Sequence, residues 1–400
     1  SQRGVDVANM TKTTVAEARK TPGLPAELDR VLEIRQQLSR ASTAKFQAME
    51  DRADGDDRIR GAHLYHGAST GRWSGQGVQF QNIPRGGLTP ADLPVAIDAV
   101  KTGSADVLAM LYGNVAAPLT GVIRSMVKAP AGSRLLVCDF AGIEARVLAW
   151  HADETKLLDT FRTGGDVYKV AAGDIYNVAP SQVTKDQRQL GKVAVLGLGY
   201  GMGAGKFIAT AAAYGITIDE AFSRNVVDIY RSANSKIRNF WYELGDAAMD
   251  AALGGQRAIN KLRLYREGRF LFIELPSGRH LAYCDPQVRD EQTPVGVRPQ
   301  LSYMGVDSLT RKWVRQRTYG GKLVENVVQA VARDFLVDAM FRLELRGYPI
   351  IFHVHDEAVV ELPYGQGSIG EMEAIMSELP EWGSGCPIGA EGFESERYRK

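Results

Sequence analysis

The sequence has little cysteine, no long apolar run and almost no net charge. Its three cysteines, Cys138, Cys284 and Cys386, are odd in number and share no short ligand spacing, which argues against a disulfide framework and against a zinc site. No segment reaches the ~18 consecutive apolar residues of a membrane span, and the polar first residues are unlike a signal peptide. We therefore expect a soluble, cytoplasmic protein with no membrane contact.

The charge is balanced, with 48 basic and 47 acidic residues and a net charge of +1. Any surface that binds nucleic acid must therefore be local. Residues 261–269 alternate basic and apolar side chains, a pattern that fits either a solvated hairpin or a contact with duplex DNA. With 400 residues, of which 44% are hydrophobic, the chain is long enough for two or three lobes.

Two segments far apart in the sequence each run from apolar residues into carboxylates. The segment of residues 135–144 contains Asp139, and the segment of residues 350–357 contains Asp356, each after an apolar run. Two such strands side by side would present both carboxylates to a shared pair of divalent metal ions, the arrangement that nucleotidyl transfer requires. The spacing predicts a two-metal enzyme, although either segment alone is also typical of a buried strand with an acidic end.

A third segment between them supports two interpretations. Arg188, Lys192, Leu196 and Tyr200 follow at intervals of four, so on a helix they form one drifting stripe whose cations would grip triphosphate oxygens. The same stretch also fits a strand that runs into a Gly199-Gly201-Ala204 turn, with Asp219 about 20 residues on, the dinucleotide-binding fingerprint. The second interpretation requires a strand at residues 192–198.

The ordered set of motifs resembles the polymerase module of family A DNA polymerases, the bacterial polymerase I type, and most of all its phage-encoded members. The resemblance covers residues from about 25 to the C-terminus. Its segments follow in the family's order: Thr70-Gly71-Arg72, Gln81-Asn82, Asp139 to Glu144, Arg188 to Tyr200, Asn326 to Gln329 and His355-Asp356-Glu357.

The resemblance implies an α+β fold of the right-hand polymerase type, with an antiparallel-sheet palm, helical fingers and a partial helical thumb. Residues 1–58 would be partial thumb, 59–151 the first part of the palm, 152–260 fingers and 261–400 the second part of the palm. From the residue patterns we expect a helix over 26–49, helices over 151–249, strands over 271–281 and a long helix over 322–345. Complete family members have more thumb and usually an exonuclease-type domain upstream. We expect no exonuclease domain in this chain, which would then be the C-terminal part of a longer protein.

The resemblance also implies roles for individual residues. Asp139, Asp356 and the main-chain carbonyl of Phe140 would bind two Mg²⁺ ions, with Mn²⁺ as a possible substitute, since all three offer hard oxygen ligands; Glu357 would be an auxiliary carboxylate. Arg188 and Lys192 would hold the triphosphate, Lys192 also acting in catalysis. The incoming nucleotide would contact Glu144, which excludes a 2′ hydroxyl together with Tyr200, and also Leu196 and Tyr168.

The remaining polar positions suit contacts that fix the register of DNA without reading its sequence. They are Arg72, Gln81, Asn82, Asn326, Gln329 and His355. The expected partners are primer–template DNA and deoxynucleoside triphosphates, bound by a monomer in a bacterial or phage-infected cell.

Some positions depart from the family pattern. Leu196 stands where an aromatic residue is usual, and Tyr168 where a histidine is common. These departures leave the metal ligands intact, but they make nucleotide discrimination harder to predict than polymerisation. Besides the dinucleotide-cofactor enzyme, two alternatives remain: a related single-subunit RNA polymerase, which Glu144 disfavours, and a binding-only protein, which the acidic pair disfavours.

Overall fold

The computed structural model describes residues 14–15, 18–19, 21–38, 44–84, 87–293, 296–308 and 310–399. The chain forms two compact units. One contains the described residues up to Leu64, residues 73–135 and those from Glu394 onward; the other contains residues 65–72 and 136–393.

The first unit is mainly helical. Its helices are α1 (Ala26–Leu38), α2 (Ala44–Glu50), α3 (Leu93–Lys101), α4 (Ala105–Tyr112) and α5 (Ala116–Val122), and its short strands are β1 (His63–Leu64) and β2 (Ser74–Gly75). Buried Arg124 ties distant parts of this unit together, because its guanidinium donates to the carbonyl of Ile83 at 2.9 Å and to the hydroxyl of Tyr398 at 3.1 Å.

Seven helices follow the first acidic strand in the second unit. They are α6 (Ile143–Ala152), α7 (Thr155–Arg162), α8 (Val167–Tyr176), α9 (Lys185–Leu198), α10 (Ala204–Ala213), α11 (Glu220–Ala233) and α12 (Ser235–Ala252). Helix α9 begins with a capping box, in which the side chains of Thr184 and Gln187 each accept a hydrogen bond from the other's main-chain N–H. The helical stretch predicted for residues 151–249 is confirmed.

Two sheets complete the second unit. One is a six-stranded antiparallel sheet in chain order, made of β4 (Gln256–Ile259), β5 (Leu262–Glu267), β6 (Phe270–Glu274), β7 (His280–Thr293), β8 (Gly296–Val306) and β9 (Trp313–Arg317). The other has the order β10-β11-β3-β12, from β3 (Ser133–Phe140), β10 (Ile350–Val354), β11 (Glu357–Pro363) and β12 (Ala390–Ser395); the first residues of β3 and the last of β12 belong to the first unit.

The long helix α13 (Gly320–Leu345) runs through the hydrophobic core of the second unit, and a shorter helix, α14 (Ile369–Ser377), follows β11. Two glycines let the start of α13 approach its neighbours. A Cβ atom on Gly320 would lie 1.8 Å from the carbonyl oxygen of Trp241, and one on Gly321 would lie 2.3 Å from that of Tyr200. Larger residues at these positions would push α13 away from both backbones.

Most of the predicted elements are present, and the α+β class is confirmed. The strands at 271–281 correspond to β6 and the start of β7, and the long helix at 322–345 is α13. The helix predicted over 26–49 is found as α1 and α2, and residues 39–43 between them lie outside the described residues. Among the described helices none is by itself long and apolar enough to cross a membrane; α4 and α5, bent by 93°, reach that length only as a pair.

His151 near the end of α6 is fully buried against aromatic rings. Its imidazole stacks on Phe240 at 6.1 Å and meets Trp150 edge-on at 4.9 Å between ring centroids. Neither ring nitrogen has a hydrogen-bond partner in the described part of the chain. Burial, with a smaller contribution from the charge of Lys261, lowers the pKa of His151 to about 3.

This histidine should make the protein sensitive to mild acid. The unfolded chain binds a proton as the pH falls below the ordinary value of 6.5, whereas the folded chain does not until about 3. The free energy of unfolding should therefore fall between these values, by up to about 1.4 kcal/mol per pH unit. Denaturant melts at several pH values should show a shallower decline for His151→Leu, with exposed His66→Leu as the control; equal slopes would contradict the assignment.

Candidate active site

The two acidic segments meet in the four-stranded sheet. Asp139 is the last residue but one of β3, and Asp356 lies in the two-residue turn between β10 and β11, where Val354 pairs with Glu357. The main-chain N–H of Phe140 donates to the main-chain oxygen of Asp356 at 3.2 Å. This hydrogen bond brings the acidic ends of both segments side by side, as the sequence pattern predicts.

The environment of these residues is strongly negative. Burial and the charges of Glu373 and Asp139 raise the pKa of the Cys138 thiol to about 12. Glu357 is almost fully buried, whereas Asp139 and Asp356 are both partly exposed. A cation at the two accessible carboxylates would reduce this concentration of negative charge.

The donor set fits Mg²⁺ better than a metal that needs a protein cage. Among the described residues no group of three or more His, Cys, Asp or Glu side chains has metal-binding geometry. Mg²⁺ does not require one, because it is usually held by one or two carboxylates, retained waters and substrate phosphates. Two partly exposed aspartates beside the main chain of Phe140 supply that kind of incomplete oxygen shell.

A second cluster centres on Glu144 in the first turn of α6. One of its carboxylate oxygens accepts from the guanidinium of Arg72, and the other accepts from the hydroxyl of Tyr200 at 3.4 Å. Burial and the charge of Glu144 raise the pKa of Tyr200 well above its ordinary value, so the hydroxyl keeps the proton that it donates. The structure thus joins three predicted site residues in one hydrogen-bonded group.

The loop that carries Arg72 is held by a buried network that the sequence did not reveal. Arg333 of α13 donates to the carbonyl of Gly71 at 2.9 Å. The neighbouring Asp334 accepts from Arg279 at 2.8 Å and from the hydroxyl of Ser277 at 2.6 Å. Gly71 has a φ of +85°, a left-handed conformation that favours glycine, and a Cβ atom there would lie 2.5 Å from the Arg279 guanidinium, which would have to shift.

A third cluster lies where α8 packs on α9. Arg188 donates to the carboxylate of Asp166 at 2.5 Å, and the charged groups of Arg188 and Lys192 lie 5.3 Å and 5.9 Å from the centre of the Tyr168 ring. Burial would raise the pKa of Asp166, but Arg188 and the main-chain N–H groups of Tyr168 and Lys169 outweigh it and hold the pKa below its ordinary value. Asp166 was not among the predicted residues, although an aspartate just before a helical pattern signals the N-cap that it forms.

The helical stripe is shorter than the sequence predicts. Helix α9 ends at Leu198, so Tyr200 lies in the following turn, where Gly201 has a φ of +79°. The stripe therefore contains Arg188, Lys192 and Leu196, which is 37% exposed. Because the helix ends before Tyr200, this tyrosine lies off the stripe, and its hydroxyl contacts Glu144.

The dinucleotide-binding interpretation is wrong. It requires a strand over residues 192–198, and these residues are helical. The acidic residue of the fingerprint also has another partner, because the side chain of Asp219 caps α11 by accepting from the N–H of Phe222 at 2.7 Å.

The predicted DNA contacts are divided between the two units. Gln81 and Asn82 belong to the first unit; among described residues the side-chain amide atoms of Gln81 are buried without a hydrogen-bond partner. Asn326 is buried in α13 and donates to the Tyr283 hydroxyl at 3.0 Å, and Gln329 donates to Glu325 at 3.4 Å. His355 is exposed in the β10–β11 turn with a φ of +57°.

Comparison with known proteins identifies the family of the chain. The family model described as DNA polymerase family A matches residues 10–382, nearly the whole chain. The chain belongs to DNA polymerase family A. It is 38% identical to the DNA polymerase of Bacillus phage SP02 over 408 residues, which cover 100% of this chain and 61% of that protein.

Other relatives match this family A chain less completely. DNA polymerase I of Pseudomonas aeruginosa is 40% identical over 82 residues, 20% of this chain and 9% of that protein. A solved structure of the POL domain of Pol1 from M. smegmatis, in complex with DNA primer-template and dNTP, matches with a TM-score of 0.61. It is 17% identical and covers 99% of this chain and 57% of that chain, so this likeness concerns the fold. The chain spans 61% of the phage polymerase and a smaller share of the others.

The contact between α8 and α9 depends on a glycine. A Cβ atom on Gly191 would lie 2.2 Å from the carbonyl oxygen of Tyr168, and backbone cannot move aside as a side chain can. Gly191→Ala should destabilise the protein by about 1–3 kcal/mol through overpacking. Gly205 in α10 has open space around it, so Gly205→Ala should stabilise by up to about 1 kcal/mol. Thermal melts of both variants test this, and a neutral Gly191→Ala would show that the helices separate easily.

Proposed function

We propose that this chain is a DNA-directed DNA polymerase, which adds deoxynucleotides to a primer 3′ end under the direction of a template. The observation that carries the proposal is the hydrogen bond from Phe140 to Asp356, because it brings the two acidic segments together at one edge of the sheet. In this proposal residues 1–58 are partial thumb, 59–151 and 261–400 palm, and 152–260 fingers. Family membership and the likeness to a polymerase domain support this assignment.

Asp139 and Asp356, with the carbonyl of Phe140, would hold two Mg²⁺ ions. When bound, such ions lower the pKa of an attacking hydroxyl and stabilise charge on a leaving pyrophosphate. The protein's own contribution is to keep the two carboxylates adjacent and accessible, whereas buried Glu357 adds negative charge behind them.

Arg188 and Lys192 would bind the triphosphate of the incoming nucleotide. Both are only partly exposed and both lie near the ring of Tyr168, which limits how far their charged groups can move. Phosphate oxygens would replace the carboxylate of Asp166 as the partner of Arg188, an exchange of one charge-assisted hydrogen bond for another. Leu196, on the same face of α9, would offer an aliphatic contact to the nucleotide.

Glu144 would stand below the sugar of the incoming nucleotide. Hydrogen bonds from Arg72 and Tyr200 hold its carboxylate from two sides, so it cannot swing aside to admit a 2′ hydroxyl without losing both. This arrangement favours DNA synthesis over the activity of a single-subunit RNA polymerase. The DNA itself would contact Arg72, Gln81, Asn82, Gln329 and His355, and Asn326 after release from Tyr283.

The decisive experiment is primer extension on a DNA template with Mg²⁺, comparing wild type with Asp356→Asn. The substitution keeps the size of the side chain and removes its charge, so a loss of several kcal/mol of transition-state stabilisation should slow extension at least about a hundredfold. Binding of primer–template should change little. Glu361→Gln, which removes a charge from the middle of β11, is the matched control; normal extension by Asp356→Asn would refute the metal-site assignment.

The sugar assignment has its own test. Glu144→Ala removes the group that Arg72 and Tyr200 hold, so the ratio of kcat/KM for a deoxynucleotide to that for the ribonucleotide should fall at least about tenfold, or 1.4 kcal/mol. Tyr200→Phe keeps the ring and loses one hydrogen bond, so its ratio should fall less. Single-nucleotide incorporation measures both ratios, and an unchanged ratio in an active Glu144→Ala enzyme would exclude Glu144 as the sugar gate.

A further inference from the structure

The register of the strands β7, β8 and β9 gathers arginines on one face. Alternate residues of a strand point to the same face, and directly opposite residues of neighbouring strands share it. Arg298 is on the same face as Ser302, Met304 and Val306 of β8. The residues paired to this face of β8 include Arg289 of β7 and Arg315 and Arg317 of β9. We call the surface formed by these four arginines and Trp313 the basic face.

The two faces of this part of the sheet differ in charge. The basic face has four arginines and, among the strand residues described, two carboxylates beside them, Glu291 and the bulge residue Asp285. The opposite face carries Asp290 and no arginine or lysine in the paired positions. It also faces inward in part, because Leu301 is buried and Val288 and Tyr303 pack against the hydrophobic core. The outer part of the basic face, where Arg289, Arg298 and Trp313 are exposed, therefore faces the solvent, whereas Ser302 near its middle is buried.

Two of the four arginines have no internal partner among the residues that the structure describes. Arg315 donates to the carboxylate of Asp285, and Arg317 lies 2.8 Å from that of Glu291. Arg289 and Arg298 are exposed, and within the described residues neither makes a side-chain hydrogen bond or ion pair. Their charges are thus available to an external anion, next to arginines already held in place.

The basic segment noted in the sequence, residues 261–269, differs from the basic face because its cations have partners within the protein. In β5, Arg263 pairs with Glu274, and Arg266 donates to the carbonyl of Ala252 at 2.8 Å. Lys261, just before this strand, donates to the carbonyl of Trp150 at 3.0 Å. Arg266 and Lys261 therefore hold the sheet to helices α12 and α6, whereas Arg263 joins β5 to β6. The interpretation of residues 261–269 as a solvated hairpin is favoured over a duplex contact.

We propose that the basic face binds the sugar–phosphate backbone of nucleic acid, as an additional contact surface separate from the residues of the candidate active site. The spacing supports a polyanion, since arginines on three adjacent strands, about 4.8 Å apart, and at alternate positions along them can meet successive phosphates. Exposed Trp313, with 58% of its surface accessible, adds a ring on which a base or sugar can pack. The inference deepens the proposed function, from which it takes DNA as the polyanion.

The test is the salt dependence of DNA binding by the double variant Arg289→Gln/Arg298→Gln. Each lost phosphate contact lowers the slope of log K against log salt by about 0.9, so the slope should fall by nearly two and the affinity at 0.1 M salt at least about tenfold. Fluorescence anisotropy with labelled primer–template, blunt duplex and single-stranded DNA measures this and distinguishes which form of backbone is bound.

The control is Arg162→Gln/Arg224→Gln, which makes the same change in net charge on exposed helices of the same unit. Equal salt slopes for wild type and the basic-face variant, or an equal loss in the control, would overturn the proposal. Primer extension is measured in parallel. A wild type that binds DNA through the basic face but extends no primer would refute the proposed polymerase activity alone, whereas normal extension with unchanged binding would refute the basic face alone.

Discussion

The rest of the candidate site depends on one main-chain hydrogen bond between strands that are distant in sequence. The N–H of Phe140 donates to the oxygen of Asp356, so two carboxylates are brought together by backbone pairing and not by attraction between their side chains. Like charges that are brought close together repel each other, and the fold must therefore supply the energy that keeps the two segments paired. The core around α13 and both sheets provides it through apolar burial.

Close approaches between main-chain segments also position the neighbouring clusters of the candidate site. Gly321 lets α13 reach the carbonyl of Tyr200, and Gly191 lets α9 reach that of Tyr168. The same helix α13 anchors the carbonyl of Gly71 through Arg333, beside the arginine that holds Glu144. Contacts of this kind tolerate no added methylene, because packed interiors respond to even small changes of volume.

Local patterns in the sequence predicted most of the elements and the meeting of the two acidic segments, whereas many other tertiary contacts were beyond them. The apolar runs into Asp139 and Asp356 and the four-residue spacing from Arg188 predicted two strands and a helix correctly. The spacing did not show that α9 stops before Tyr200, since a helix end depends on the left-handed Gly201 and on what packs there. Nor can a sequence show that Arg333 bonds to a carbonyl in a distant loop, because main-chain acceptors leave no signature of their own.

A sequence pattern is likewise insufficient to show which basic residues form an exposed positive surface. A pattern of alternating cations identifies β5, yet its charges are already used by internal acceptors. The basic face is less visible in the sequence, because Arg289, Arg298 and Arg315 come from three strands and acidic residues lie between them. Register gathers the four arginines on one face, where they outnumber the carboxylates, so a chain with almost no net charge can still present a positive surface.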